Sequence, residues 1–413
     1  MSQNGHDVKS FAGREFPIAA RPRYHGRTAM LKHFASEKSV HTDPDTGAEV
    51  IRWTGSPARD NHLYFTTPSV TRDNRWLVIQ SERLGSVNLF AVDRDSGTIF
   101  PLSQNEHGTQ RSYCWPIGTR DGLVKASPAL DPDRNRLFYV QGDSLWRVEL
   151  DDAERGATPQ HVWTLPVGWW GAFNHVSPDG GKVCVPLVDP RAFPEGLRTQ
   201  RQQMDIGPRI IDALGLTSRL YVIEVATGAA EVVAEVPFWC THVQFDPTGS
   251  GRMIFNQEGH RLYSHSRTWC LEPHGAWRPL YDEPDDEFDN HENWSSDGSM
   301  IVYHGARSEK PLIAARRWDG SLIFETVFDG EHIGHTTPTL DSRGFITDGG
   351  RHVSVFVDDN AGGMRGQRLC RHDCNQVLNQ DDHVHPLVTP RSDSVVFASN
   401  VLGTSNVYEV DLA

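Results

Sequence analysis

The sequence predicts an all-β fold, a seven-bladed β-propeller closed by an N-terminal strand in its last blade. Three features of the 413-residue chain point there. One short phrase recurs in seven copies, about 45 to 70 residues apart. Most copies are followed by a second pair of strand-like runs, which gives the four strands of a propeller blade. The last copy ends at Ala413 with too few strands to finish a blade.

Residues 1–46 read as an N-terminal extension and residues 47–413 as the propeller. GAEVIRWTG, Gly47 to Gly55, supplies the strand that the final repeat lacks. The seven copies are PSVTRDNRWLVI, SPALDPDRNRLFYV, NHVSPDGGKVCV, HVQFDPTGSGRMIF, HENWSSDGSMIVY, TPTLDSRGFIT and HPLVTPRSDSVVFA. Each has a small or polar lead-in, a turn rich in Asp, Pro or Gly, and three to five apolar residues that form a buried strand. Runs such as NLFAVDRDSGTIFPLS and RLYVIEVATGAAEVVAEV follow, with DSG and ATG as hairpin turns. Helical periodicity is scarce. Its best stretch, around Gln200 to Leu214, falls in an insertion near residues 190–217 of the third blade.

A formal net charge of −14 argues against nucleic acid or an anionic membrane as the main partner, while leaving room for a small anionic ligand at a local positive site. No apolar run approaches the roughly 18 residues of a membrane helix. The N-terminus lacks the apolar stretch of a secretory signal, so the expected location is cytoplasmic. Six scattered cysteines fit reduced thiols; Cys370, His372 and Cys374 lack the second pair that a zinc site needs.

Residues just before an innermost propeller strand face the central channel. His175, His242, His291 and His385 hold such places. The loop NQDDHVHP concentrates donors further: residues two apart on an extended strand share a side, so His383 and His385 can both face the axis, with Gln380 one turn earlier. His291, from HENWSS, would add a third imidazole. Imidazole nitrogens with an amide oxygen suit manganese, zinc, iron or nickel better than calcium. The alternative is that these histidines are held by water or, as for His175, bond to a neighbouring blade.

LYFTTPSVTRDNRWLVIQSERLGSVNLFAVD, SRLYVIEVATG, THVQFDPTGSGRMIFNQEG, HENWSSDGSMIVYH and NQDDHVHP occur in the order in which the oligogalacturonate lyases carry their counterparts, and the chain resembles that family from roughly Asn61 to the C-terminus. The resemblance implies a lyase of short pectin-derived uronides that acts by β-elimination, with a small anionic oligosaccharide as partner. It implies manganese ligands at His291, Gln380, His383 and His385, a catalytic base at His242 and a catalytic arginine at Arg219. Another divalent transition metal would suit the same ligands. Three departures touch the channel mouth and bear on the substrate: Val243 after the base where the family has proline, Asn256-Gln257-Glu258-Gly259 where it has Cys-His-Glu-Gly, and the third-blade insertion.

Elimination from a uronate removes the weakly acidic proton beside a carboxylate that is already negative. A divalent metal offsets the added charge, an arginine fork stabilises it, and an imidazole neutral near pH 7 takes the proton. Two other readings keep part of this: elimination on a different uronate-containing oligosaccharide, and a non-enzymatic propeller that binds proteins. Arg83 reads as an exposed hairpin charge, and the acidic run from Asp282 to Asn290 as a solvated connector.

Overall fold

The computed structural model describes residues 33–106, 128–194, 200–259, 266–329, 333–358, 364–375 and 383–412. Within them seven antiparallel sheets succeed one another and form the blades of a ring. Blade one spans residues 60–101, blade two 129–164, blade three 170–236, blade four 243–279, blade five 287–327 and blade six 336–371. Blade seven joins Leu387–Val388, Ser394–Ser399 and Asn406–Asp411 to Glu49–Arg52 from the other end of the chain. This is the fold class expected from the repeats. A further strand, Ser39–Thr42, adds to the outside of Glu49–Arg52, so blade seven has five strands.

The recurring phrase has a physical basis in its turn. A hydroxyl at its start donates to a nearby aspartate: Thr71 to Asp73 at 2.6 Å, Ser177 to Asp179 at 2.6 Å, Ser295 to Asp297 at 2.7 Å, Thr339 to Asp341 at 2.6 Å, and Thr389 to Asp393 at 2.7 Å. The same hydroxyls accept the backbone N–H that opens the next strand, as Ser177 Oγ accepts the Lys182 N–H at 2.9 Å. The turn therefore satisfies its own polar groups and delivers the chain straight into a buried strand. Those strands, such as Trp76–Ser81 and Ser394–Ser399, are buried along their whole length because other strands and blades cover both faces. The outermost strands, such as Leu322–Val327, are partly exposed.

Inner strands are stitched to the next blade by polar contacts. Phe173 N–H donates to the Thr241 carbonyl at 3.0 Å, Gln244 Nε2 to the Glu292 carbonyl at 2.6 Å, and Thr337 Oγ1 to the Pro386 carbonyl at 2.8 Å. At the closure, Trp53 Nε1 donates to Glu409 at 2.7 Å, and Arg94 of blade one pairs with the same carboxylate.

Two expectations change. Arg83 is not an exposed charge: its side chain is 3% exposed and pairs with Asp60 at 3.0 Å and Glu37 at 3.1 Å. The acidic run is only half solvated. Asp282, Asp285 and Asp286 are exposed, whereas Glu287 and Asp289 are buried in the first strand of blade five and Glu283, just before it, is buried where it accepts the Arg267 N–H. The helix is found at Gln200–Leu214, between the strands Lys182–Val188 and Ser218–Glu224 of blade three. No helix among the described residues is long and apolar enough to cross a membrane.

Trp53 is 1% exposed at the closure. Trp53→Ala is expected to destabilise the protein by about 3–5 kcal/mol through the cavity it leaves, read as a lowered denaturation midpoint. An unchanged midpoint would mean that this strand does not hold the ring shut.

Candidate active site

Each candidate side chain reaches the channel through the way its blade begins. His242 directly precedes the innermost strand of blade four, Val243–Phe245, and His335 directly precedes that of blade six, Thr336–Pro338. His385 lies two residues before Leu387–Val388 of blade seven. His291 and Glu292 sit within Glu287–Trp294 at a break in register: Asn290 faces His304 and Asn293 faces Val302, so two residues oppose one. Such a bulge re-aims side chains that a regular strand would send to alternate faces. His291 and His385 adopt φ of 51° and 45°, a left-handed conformation uncommon for residues other than glycine.

His335, His383 and His385 bring one ring nitrogen each to within 4.8 Å of one another. His335 Nδ1 lies 2.9 Å from Asp348 Oδ2, and its Nε2 lies 3.3 Å from His383 Nδ1. A Cβ on Gly334 would come within 1.8 Å of Asp348 Oδ1, so a glycine is required there for the carboxylate to reach the ring. Burial alone would raise the Asp348 carboxyl. His335, with His372 and His383 behind it, holds it well below the ordinary carboxylate range instead. An ionised Asp348 fixes Nδ1–H as the donor and turns the Nε2 lone pair toward the other two histidines, an arrangement typical of metal-ligating imidazoles. Two nitrogens about 2.1 Å from one ion and at a right angle stand roughly 3.0 Å apart, close to the 3.3 Å here. The donor set fits a divalent transition metal.

His291 stands beside this group, its ring centroid 4.5 Å from that of His335, and its Nδ1 meets His304 Nε2 at 3.2 Å. Burial, then His335 and His304, push its pKa well down, which keeps it neutral and able to ligate. Gln380 lies outside the described residues.

Across the channel, His242 is 1% exposed and its ring lies 6.4 Å from that of His291. Its Nδ1 is 3.5 Å from Glu292 Oε1. Its backbone N–H donates to Asn256 Oδ1 at 2.7 Å, which fixes where the ring starts. Glu292 also accepts from Arg267 Nε at 3.1 Å, and Arg267 Nη1 lies 3.6 Å from Glu258. Burial would raise the Glu292 carboxyl, but Arg267 and His242 bring it down to about 2. Tyr64, Phe65 and Phe173 wall the site, with ring centroids 5.5, 5.9 and 4.7 Å from His242. Phe65 also lies 4.9 Å from His291 and 6.1 Å from His385. These rings exclude water and strengthen every charge interaction inside.

The ring therefore brings His242, His291, His383 and His385 together. Arg219 is not drawn in with them. It lies near the start of the strand Ser218–Glu224 of blade three, in the row Gly171, Leu187, Arg219 and Glu235, half-exposed, paired with Glu235 at 3.1 Å and stacked 4.5 Å from the Trp169 ring. His175 takes the structural option, its Nδ1 accepting the Phe245 N–H of blade four at 3.2 Å. Cys370 is buried in an apolar cluster against Cys374, and among the described residues they form no metal-ligand group. Sequence reasoning missed His335, Asp348, Arg267 and the Tyr64-Phe65 pair. A signal for His335 exists: it stands before its inner strand as His242 does, two residues ahead of Thr337, where the sixth copy of the phrase begins.

No family model matches the chain. It is 23% identical over 408 residues to the oligogalacturonide lyase of Pectobacterium atrosepticum, covering 89% of this chain and 94% of that protein. It is 23% identical over 411 residues to the oligogalacturonate lyase of Dickeya dadantii, covering 90% and 95%. Among solved structures, an oligogalacturonate lyase in complex with manganese matches with a TM-score of 0.77 at 22% identity, covering 93% of this chain and 98% of that one. The oligogalacturonate lyase of Vibrio parahaemolyticus gives 0.78 at 20% identity, covering 93% and 99%. The structural likenesses establish the shared propeller.

Glu292 has a depressed carboxyl, so its ionised form contributes stability above its unfolded value of 4.5 and loses that contribution as pH falls toward about 2. Glu292→Gln is expected to be less stable than the wild type at pH 7, with the gap shrinking as pH falls from 4.5 to 2. Melting curves across that range check it; a gap that widens toward low pH would contradict the assignment.

Proposed function

We propose that this chain is a lyase of the oligogalacturonate lyase family, to which its curated relatives' names point, and that it cleaves short pectin-derived uronides by metal-assisted β-elimination and releases an unsaturated uronate. The observation that carries the reading is the pairing, inside one channel, of the His335–His383–His385 group with a His242–Glu292 pair.

His335, His383 and His385 would hold a divalent transition metal, with His291 and Gln380 as the further ligands expected from the family. Manganese is the first candidate because a related structure contains it. Such an ion, when bound, supplies Lewis-acid polarisation of the uronate carboxylate. His242 accepts the C5 proton at Nε2, while ionised Glu292 opposite Nδ1 holds the ring and stabilises the imidazolium that forms. The C5–H electron pair becomes the C4–C5 double bond, the C4–O bond breaks, and the leaving oxygen takes its proton from water. Arg219 serves as the cation that reaches substrate from the rim of blade three. Its half-exposed pair with Glu235 is weak enough for a substrate carboxylate to exchange into. A protein-binding scaffold has no use for a carboxylate-oriented imidazole set in a desolvated channel.

His242→Ala is expected to lower the rate at which the new double bond absorbs by about 10²- to 10⁴-fold, with metal content intact. Near-normal turnover would remove the base assignment. Asp348→Asn is expected to weaken manganese binding by roughly 10- to 100-fold, measured by titration without substrate. Unchanged affinity would take His335 out of the ligand set.

A further inference from the structure

A recess beside the channel is used by none of the chemistry above. The helix Gln200–Leu214 packs tightly around it: a Cβ on Gly259 would come within 2.7 Å of the Pro208 ring, and one on Gly207 within 2.6 Å of Phe193. Between helix and blade four lies a cavity of about 220 Å³. That is smaller than the roughly 300–1,000 Å³ of ordinary ligand clefts, so it suits one ring rather than a chain. Pro208 and Ile211 form the helix side; Phe238, Trp269 and Trp277 form the other. The Trp269 and Trp277 centroids are 5.2 Å apart, and Phe238 lies 5.1 Å from Trp269. Trp277 is 37% exposed, so part of its ring faces the opening of the recess.

Among the described residues, the charged groups lining this recess are Asp212 and Glu258, both acidic. Arg267 stands behind Glu258 but is shared with Glu292, so the buried trio keeps a net negative charge and Asp212 adds to it. A second uronate would be repelled here. A neutral pyranose could lay its C–H face on the indoles and offer hydroxyls to the carboxylates. Position ties the recess to the reaction: Glu258 accepts from Thr241 Oγ1 at 2.7 Å, and Thr241 adjoins His242.

We propose that this recess is a subsite for a neutral sugar ring joined to the uronate that undergoes elimination, so that the preferred substrates are mixed uronate–neutral oligosaccharides. The proposal rests on the elimination chemistry above and narrows its substrate class.

Saturation-transfer NMR on the full-length protein with methyl galactoside, and with tetramethylammonium as a cationic probe, tests binding without turnover. The neutral glycoside is expected to show transfer that falls at least about fivefold in Trp277→Ala, with the melting curve retained. In parallel, Asp212→Lys is expected to shift the ratio of kcat/KM values about fivefold or more toward a diuronide and away from a uronate–neutral disaccharide. No transfer to the glycoside, transfer indifferent to Trp277, stronger transfer to the cation, or a ratio unmoved by Asp212→Lys would each overturn the subsite. Failure to eliminate any uronide while glycoside binding persists would count against the elimination chemistry instead.

Discussion

Glu409 is where two ends of the ring are tied together. Its buried carboxylate accepts from Trp53, 356 residues away in sequence, and from Ser394 of its own blade, and it pairs with Arg94 of blade one. A carboxylate with this many donors is stable while buried, whereas one with its donors removed is among the costliest groups to bury. The bond therefore does more than add about 1 kcal/mol of ordinary hydrogen bonding. It commits the N-terminal strand to blade seven and blade seven to blade one. Once the ring is shut, each inner strand has a fixed neighbour, and the links from Phe173 to Thr241, Gln244 to Glu292 and Thr337 to Pro386 can all form together. Residues that precede inner strands then converge because the ring converges.

Charge in the channel follows from the same convergence. Glu258, Arg267 and Glu292 are nearly dry, and one guanidinium serves two carboxylates. Asp348 is equally buried and holds His335. Between them, burial has pushed the pKa of His291 down, which keeps that imidazole neutral. The channel thus carries an excess of negative charge opposite a set of imidazole donors, which is the electrostatic condition under which a divalent cation binds best. Glu292 touches both groups by position: its neighbour in sequence, His291, lies beside His335, and its own carboxylate faces His242. One bulge in blade five accomplishes this, because a regular strand would have sent adjacent side chains to opposite faces.

The propeller was legible because its repeat is local: a hydroxyl, an aspartate two to four residues on, and an apolar run are all read within a dozen residues. The ring closure was legible from what the last repeat lacked. The helix at Gln200–Leu214 was readable from periodicity because the insertion is free of the strand pattern around it. His242, His291, His383 and His385 were found through spacing and resemblance. Asp348 and Arg267 were not, since their value lies in which distant ring or carboxylate they meet, and no spacing within one blade encodes that. Arg83 misled for the opposite reason. A hairpin arginine looks exposed until Glu37, from the segment before the propeller, folds back onto it. The buried half of the acidic run failed likewise: Glu287 and Asp289 are the alternate residues of a strand whose cover comes from Tyr281 and Arg307.

Backbone strain gives an independent reason to regard the channel as built for a ligand. His291 and His385 are both left-handed at φ, and both face the same group of rings. A non-glycine residue held there costs on the order of 1–3 kcal/mol, and glycine would relieve that cost at either position. Neither position is a hairpin turn, where asparagine or aspartate commonly tolerates such φ values; one is a bulge inside a strand and the other precedes Pro386, whose ring already restricts the residue before it. A propeller needs neither imidazole to close. Both side chains lie against the His335 ring, so an ion bound there would offset the cost in the backbone. Relief of that strain by glycine at either position would therefore be expected to stabilise the empty ring and weaken the ion, two effects of opposite sign that no purely structural role for these histidines would produce.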